Sequence, residues 1–149
     1  MSTLYHENAS HLNSSDTLAA KASNFLAPIA RILLAVIFVV AGISKIGAYA
    51  QTAAWMGAMG VPGILLPLVI LLETAGGIAL ALGWHTRLAA FLLAGFSLLS
   101  AFIFHNNFAD QIQMLMFMKN LAIAGGLLLL VSQGAGAYSL DATLNKHRI

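Results

Sequence analysis

Four long apolar runs separated by short polar breaks dominate the chain, at roughly residues 28–46, 64–83, 88–104 and 114–131. Each holds about 17–20 residues, enough at the helical rise to cross the hydrocarbon layer of a bilayer. No water is available there to satisfy backbone N–H and C=O groups, so each run is predicted to be a helix. Pro67 falls in the first turn of the second run, where a missing N–H costs little. Residues 1–27 are polar and mixed, including His6, Glu7, Asn8, His11, Asn13 and Asp16, and read as a mobile tail. Residues 142–149 read as a short C-terminal tail. The pattern predicts an all-α membrane protein, a four-transmembrane-helix bundle occupying residues 28–141.

Four crossings place both termini on one side. That side carries Lys21, Arg31, Arg87, Lys146 and Arg148, against Lys45 and Lys119 on the other. The positive-inside rule then makes both termini cytoplasmic and turns the Lys45 end outward, in a multi-pass protein. Ala48-Tyr49-Ala50 has the small-x-small form of a signal-peptidase site, but the region before it is too long and contains acids, so it reads as a loop.

Composition agrees with this class. Of 149 residues, 60% are hydrophobic and 8% charged, against about 25% charged in soluble domains, and mean hydropathy is +0.87. Seven basic and five acidic residues are scattered along the chain, which is no footprint for nucleic acid. The absence of cysteine excludes disulfides, thiolate metal sites and iron–sulfur clusters.

Against this background Glu73 stands out. A charge near mid-bilayer costs about 2.5–3.5 kcal/mol on insertion scales, so it needs a partner, a wet cavity or a proton. Lys45, His105, Lys119 and Asn120 lie in the same outward half as Glu73 and form with it a candidate intramembrane polar cluster. Each has a plainer reading. Lys45 and Lys119 can snorkel to the interface, His105 with Asn106 and Asn107 can simply end a helix, and Glu73 can be half of a structural pair with Lys119 or Lys45. At the opposite end, Arg31, His85 and Arg87 are expected at the water boundary.

Glycines supply the helix-packing candidates: Gly42, Gly76, Gly77, Gly125 and Gly126. Ala90, Ala94, Ser97 and Ala101 form a small-residue stripe on the third run. Ala-Gly-Gly occurs at 75–77 and 124–126 and an arginine opens the first and third runs, a faint hint of a duplicated hairpin. Trp55 and Trp84 belong near the interfaces, and residues 53–60, with Trp55, Met56 and Met59, are expected along the outer surface.

Cofactor tests are mostly negative. His85 and His105 flank the third run, about 30 Å apart at helical rise, and cannot ligate one haem iron. No metal-ligand spacing, dinucleotide fingerprint or phosphate loop occurs, so no metal site is expected. There is no nucleophile–base pair, and the chain leaves no soluble domain for conventional catalysis.

The series Arg31-Ile-Leu-Leu-Ala-Val-Ile-Phe, Gly42-Ile-Ser-Lys45, Gly60-Val-Pro62 and Leu72-Glu73-Thr-Ala-Gly-Gly77 resembles the DoxX family of small bacterial membrane proteins. It continues through Leu82-Gly83, Thr86-Arg87, Phe104-His105, Lys119-Asn120, Gly125-Gly126 and Tyr138-Ser-Leu-Asp141. Gly134-Ala-Gly136 stands where relatives often show Gly-Pro-Gly, a departure confined to a loop. The resemblance implies a four-helix inner-membrane protein, and some relatives are linked to thiosulfate:quinone oxidoreductase or to oxidative-stress complexes. Three readings of function follow. The first is an accessory, non-catalytic subunit of a redox or quinone-linked membrane assembly, with quinone as the cofactor to test and a membrane redox protein or a second copy as partner in the bilayer. The second is a small oligomeric proton-coupled transporter with Glu73 as carrier and Lys119 as counter-charge. The third is a structural membrane scaffold.

Overall fold

In the computed structural model of the chain, the backbone is described for residues 2–146 and side chains for residues 24–146. The side chains of the N-terminal polar segment, and the last three residues with Arg148, lie outside the described residues.

Six helices follow in order: α1 Ser2–Gly47, α2 Tyr49–Ala58, α3 Leu66–Leu82, α4 Thr86–Phe104, α5 Gln111–Gln133 and α6 Leu140–Lys146, with a 3₁₀ turn at Gly63–Leu65 before α3. Four of them contain stretches long and apolar enough to span: Asn24–Gly47, Gly63–Leu82, Thr86–Phe104 and Gln111–Gln133. The protein is therefore an all-α, four-span membrane protein.

The boundaries differ from the sequence reading for local reasons. The first helix does not begin at residue 28: the backbone is helical from Ser2, and Pro28 lies inside it. Residues 2–27 contain no glycine and no proline, so once the apolar span forms, extending the helix backward avoids a second nucleation step. The last span begins at Gln111, three residues before the expected start, because Asp110 caps it. The Asp110 carboxylate accepts from the N–H of Ile112 at 2.8 Å and of Gln113 at 3.3 Å. The C-terminal segment is not simply a tail, since α6 covers Leu140–Lys146.

Helix α1 packs chiefly on α3 and α4 on α5; α3 and α4 join the two pairs, while α1 touches α5 lightly. The core runs through Ala35, Phe38, Leu80, Leu93 and Leu127, and the small stripe Ala90, Ala94, Ser97 and Ala101 is buried on α4. Large apolar side chains such as Leu33, Leu71, Phe91 and Leu129 face outward. That is the distribution expected of a protein whose solvent is lipid.

Two close approaches weld α1 to α3. A Cβ placed on Gly42 would overlap the Thr74 hydroxyl and lie 3.3 Å from Glu73 Cβ. One on Gly77 would lie 2.8 Å from Val39 Cγ2 and 3.2 Å from the Ala35 carbonyl. Gly76 faces Leu93 and Gly126 faces Leu34 at contact distance. Gly125 is different. It was expected in a packing seam, but it meets nothing within 4 Å and lies on an exposed face of α5. The helical period places it about 100° from its neighbour Gly126, so only one of the two can enter the bundle.

Candidate functional site

The Lys45 end is built by α1, α2, α3 and the α4–α5 turn. Side chains on a helix lean toward its N-terminus. Since α1 runs toward this end, the Lys45 stem leans back into the bundle, whereas Glu73 on the antiparallel α3 leans out to meet it. The contact at Gly42, one turn below Lys45, brings the two backbones close enough. Lys45 Nζ donates to Glu73 Oε1 at 2.9 Å and to the Ala41 carbonyl at 3.4 Å, and lies 2.8 Å from Glu73 Oε2. The second carboxylate oxygen is off the hydrogen-bond line and has no donor. Glu73 is 4% exposed, and about a quarter of the Lys45 side chain is exposed. This is the one ion pair among the described residues.

The pair opens on a cavity of about 370 Å³ that His105, Lys119 and Asn120 also line. Its walls are largely apolar, with Phe38, Trp55, Met56, Phe96 and Phe104 prominent, and Ser97 and Ser100 add hydroxyls. Helix α2 closes one side: Trp55 stacks on Phe104 with ring centroids 4.6 Å apart. Met56, expected along the outer surface, is instead 4% exposed and packs inward. The hydrophobic pattern of α2 is too short and too uniformly apolar to reveal which residue points down.

The five polar residues share the cavity without forming one bonded network. His105 Nδ1 is 2.8 Å from Gln113 Oε1, a contact that pins the α4–α5 turn. Lys119 is exposed and has no ion pair among the described residues, so the expected alternative pairing with Glu73 does not form. The reason is topological. Lys119 rides on α5, which packs on α4 rather than α3, and its stem leans toward the nearby membrane surface.

The opposite end holds a second polar assembly. Arg31, at this end of the bundle, does not reach the surface: it is 2% exposed. Its Nη2 donates to the Tyr138 carbonyl at 2.6 Å, while Nε and Nη1 have no acceptor. Beside it, α3 ends in a Schellman turn: Trp84 N–H donates to the Ala79 carbonyl at 2.9 Å and Gly83 N–H to that of Leu80 at 3.2 Å. Gly83 has φ +69°, and a Cβ there would collide with the Arg31 guanidinium. Only glycine meets both demands. The Gly83 carbonyl accepts from Asp141 N–H at 2.9 Å. The Asp141 carboxylate in turn caps α4, accepting from His85 N–H at 2.8 Å and Thr86 N–H at 2.9 Å. His85 is held at φ +45°, a conformation few side chains adopt. Burial works to raise the Asp141 carboxyl, but the Thr86 and His85 donors outweigh it and hold it below the usual aspartate range.

The residues that build both ends are those of the motif series, from Arg31 and Gly42 to Gly83, and the DoxX family profile matches residues 26–106. The chain belongs to the DoxX family. This DoxX protein is 58% identical over 118 residues to inner membrane protein YqjF of Escherichia coli K12, covering 79% of this chain and 91% of the relative. It is 36% identical over 120 residues to inner membrane protein YphA of the same organism, covering 76% and 86%. No solved structure matches. With four spanning helices and these relatives, it is a multi-pass inner-membrane protein.

Three DoxX residues with clear structural roles escaped the sequence reading: Asp110, Gln113 and Asp141 as a cap. Asp110 three residues before Gln113 is a local capping signal. The bond from Asp141 to α4 spans 55 residues and has no local signature.

Proposed function

We propose that this DoxX protein is an accessory, non-catalytic subunit of a redox membrane assembly and holds a quinone-type ligand at the Lys45 end. The observation that carries the reading is the cavity. At about 370 Å³ it falls within the size range of small-molecule sites, and it has their usual makeup of apolar walls with a few convergent polar groups. The Glu73 carboxylate, ion-paired with Lys45, keeps lone pairs that fit the hydroxyl of a reduced quinone, and the Lys45 or Lys119 ammonium fits a carbonyl oxygen. A bound quinone would supply two-electron, two-proton chemistry. The chain would supply proton exchange at Glu73 and His105, orientation by Lys45, and exclusion of water by α2. Partner electron carriers lie outside the chain, in keeping with an accessory role.

The test is purification of the full chain in mild detergent, followed by solvent extraction and mass spectrometry. Retained quinone in wild type and its loss in Glu73→Gln and Trp55→Ala supports the reading. A wild-type protein that carries no quinone, and whose melting does not respond to added quinone, overturns it.

The ion pair itself favours a second reading, that of a scaffold in which Glu73 is only paired. Its swap test must use Lys45, the lysine in contact: Lys45→Glu with Glu73→Lys should keep both fold and phenotype if the pair is merely structural. Loss of phenotype in a normally folded swap refutes the scaffold.

A further inference from the structure

The Arg31 end carries a feature that neither the core nor the cavity uses. An open groove of about 830 Å³ lies between the start of α4, the end of α5 and α6, lined by His85, Arg87, Leu88, Gly134, Asp141 and Asn145 among others. Arg87 is exposed and makes no ion pair or hydrogen bond among the described residues. Its guanidinium lies along the end of α5, where a Cβ on Gly134 would sit 3.4 Å from Nε and 3.5 Å from Nη2. The bare glycine lets the guanidinium lie against the backbone there, while the rest of the Arg87 side chain stays exposed. Asp141, the one carboxylate among the described lining residues, has both oxygens engaged by the His85 and Thr86 N–H donors and lies close to the charge of buried Arg31. Among the described residues, the charge left over in the groove is the Arg87 guanidinium.

The level of the groove decides what kind of anion it meets. Trp84 is half-exposed beside it, as tryptophans are at the bilayer–water boundary. Leu88 and Phe91, one and two turns into α4, are exposed and apolar, so the groove runs directly onto lipid-facing surface. A basic pocket between helix ends, wet above and apolar below, matches a phosphate headgroup with its acyl chains. Arginine suits phosphate because its planar fork can bond two oxygens at once.

We propose that Arg87 and the α4–α5–α6 groove bind the phosphate headgroup of an anionic phospholipid, with its acyl chains lying along Leu88 and Phe91. The site is separate from the Lys45 cavity, at the other end of the bundle, and does not depend on the function proposed there.

The experiment is native mass spectrometry of the full-length protein, titrated with phosphatidylglycerol, with phosphatidylcholine, and with inorganic phosphate. Wild type should hold one phosphatidylglycerol per chain in preference to phosphatidylcholine. Arg87→Gln should weaken it about tenfold and Arg87→Lys less. Asn145→Glu, an exposed change that adds negative charge to the same groove, should weaken it as well and remains decisive if Arg87→Gln melts early in lipid-free detergent. Equal retention in wild type and Asn145→Glu, equal binding of the two lipids, or binding of inorganic phosphate alone overturns the proposal.

Discussion

Removing Lys45 should destabilise the protein far more than neutralising Glu73, although the two side chains share one bond. Lys45→Met leaves Glu73, 4% exposed and about 10 Å along α3, without its donor. Stranding a buried charge by deleting its partner costs about 3–5 kcal/mol. Glu73→Gln leaves a lysine whose side chain is already one-quarter exposed and can turn its head to water. That change approaches the surface limit, about 0.5–1.5 kcal/mol once the lost charge-assisted bond is included. The double variant strands nothing charged, so the cycle should show coupling of about 2 kcal/mol or more. The assay is reversible unfolding by SDS in mixed micelles at pH 7, followed by far-UV circular dichroism at two salt concentrations. Salt should leave the coupling nearly unchanged, because the pair is shielded from counterions. Equal costs for the two single variants, or coupling below about 0.5 kcal/mol, would show that Glu73 is not held as the geometry states.

Other expectations can be checked the same way. Asp141→Ala removes the α4 cap and should cost about 1–3 kcal/mol of unfolding free energy. Because the Asp141 carboxyl is held below its ordinary range, this contribution is fully present above the unfolded value, about pH 3.9, and is lost as pH falls through the lower folded value. The gap between wild type and Asp141→Ala should therefore be flat near neutrality and close only below about pH 4, as a pH series of melts would show. Gly77→Leu drives a side chain into Val39 and the Ala35 carbonyl and should cost about 1–3 kcal/mol. Gly125→Leu, on an open face, should stay within about 0.5 kcal/mol of wild type in the isolated chain. His105→Ala breaks the bond to Gln113 and should speed hydrogen exchange in the Asn106–Asp110 turn while leaving α1 and α3 unchanged.

Much of the fold was legible because the bilayer leaves few alternatives. An apolar run of spanning length must be helical, and four of them fix the class. The half of the bundle that holds the cavity and its polar groups was legible too, because one costly carboxylate and the direction of each crossing set depths. Pairing was not. Lys45 and Lys119 are equivalent in a depth argument, and only the welding of α1 to α3 at Gly42 and Gly77 selects Lys45. The burial of Arg31 was hidden for a related reason. An arginine at a span boundary normally reaches water, and the carbonyl that keeps this one inside belongs to Tyr138, 107 residues away. Gly125 and Gly126 are indistinguishable as letters; helix phase alone sends one inward. The extra length of α5 was available locally, in Asp110.

The Arg31 contact also orders events in time. Arg31 lies in the first of the four spans, whereas Tyr138 and Asp141 follow the fourth, so the arginine is synthesised well before its acceptor. Until then the guanidinium has neither its acceptor nor the nearby negative charge. A chain that stops short of Tyr138 leaves the Arg31 guanidinium without that acceptor. In this protein the segment after the fourth span supplies a polar contact that the first span lacks when it is made.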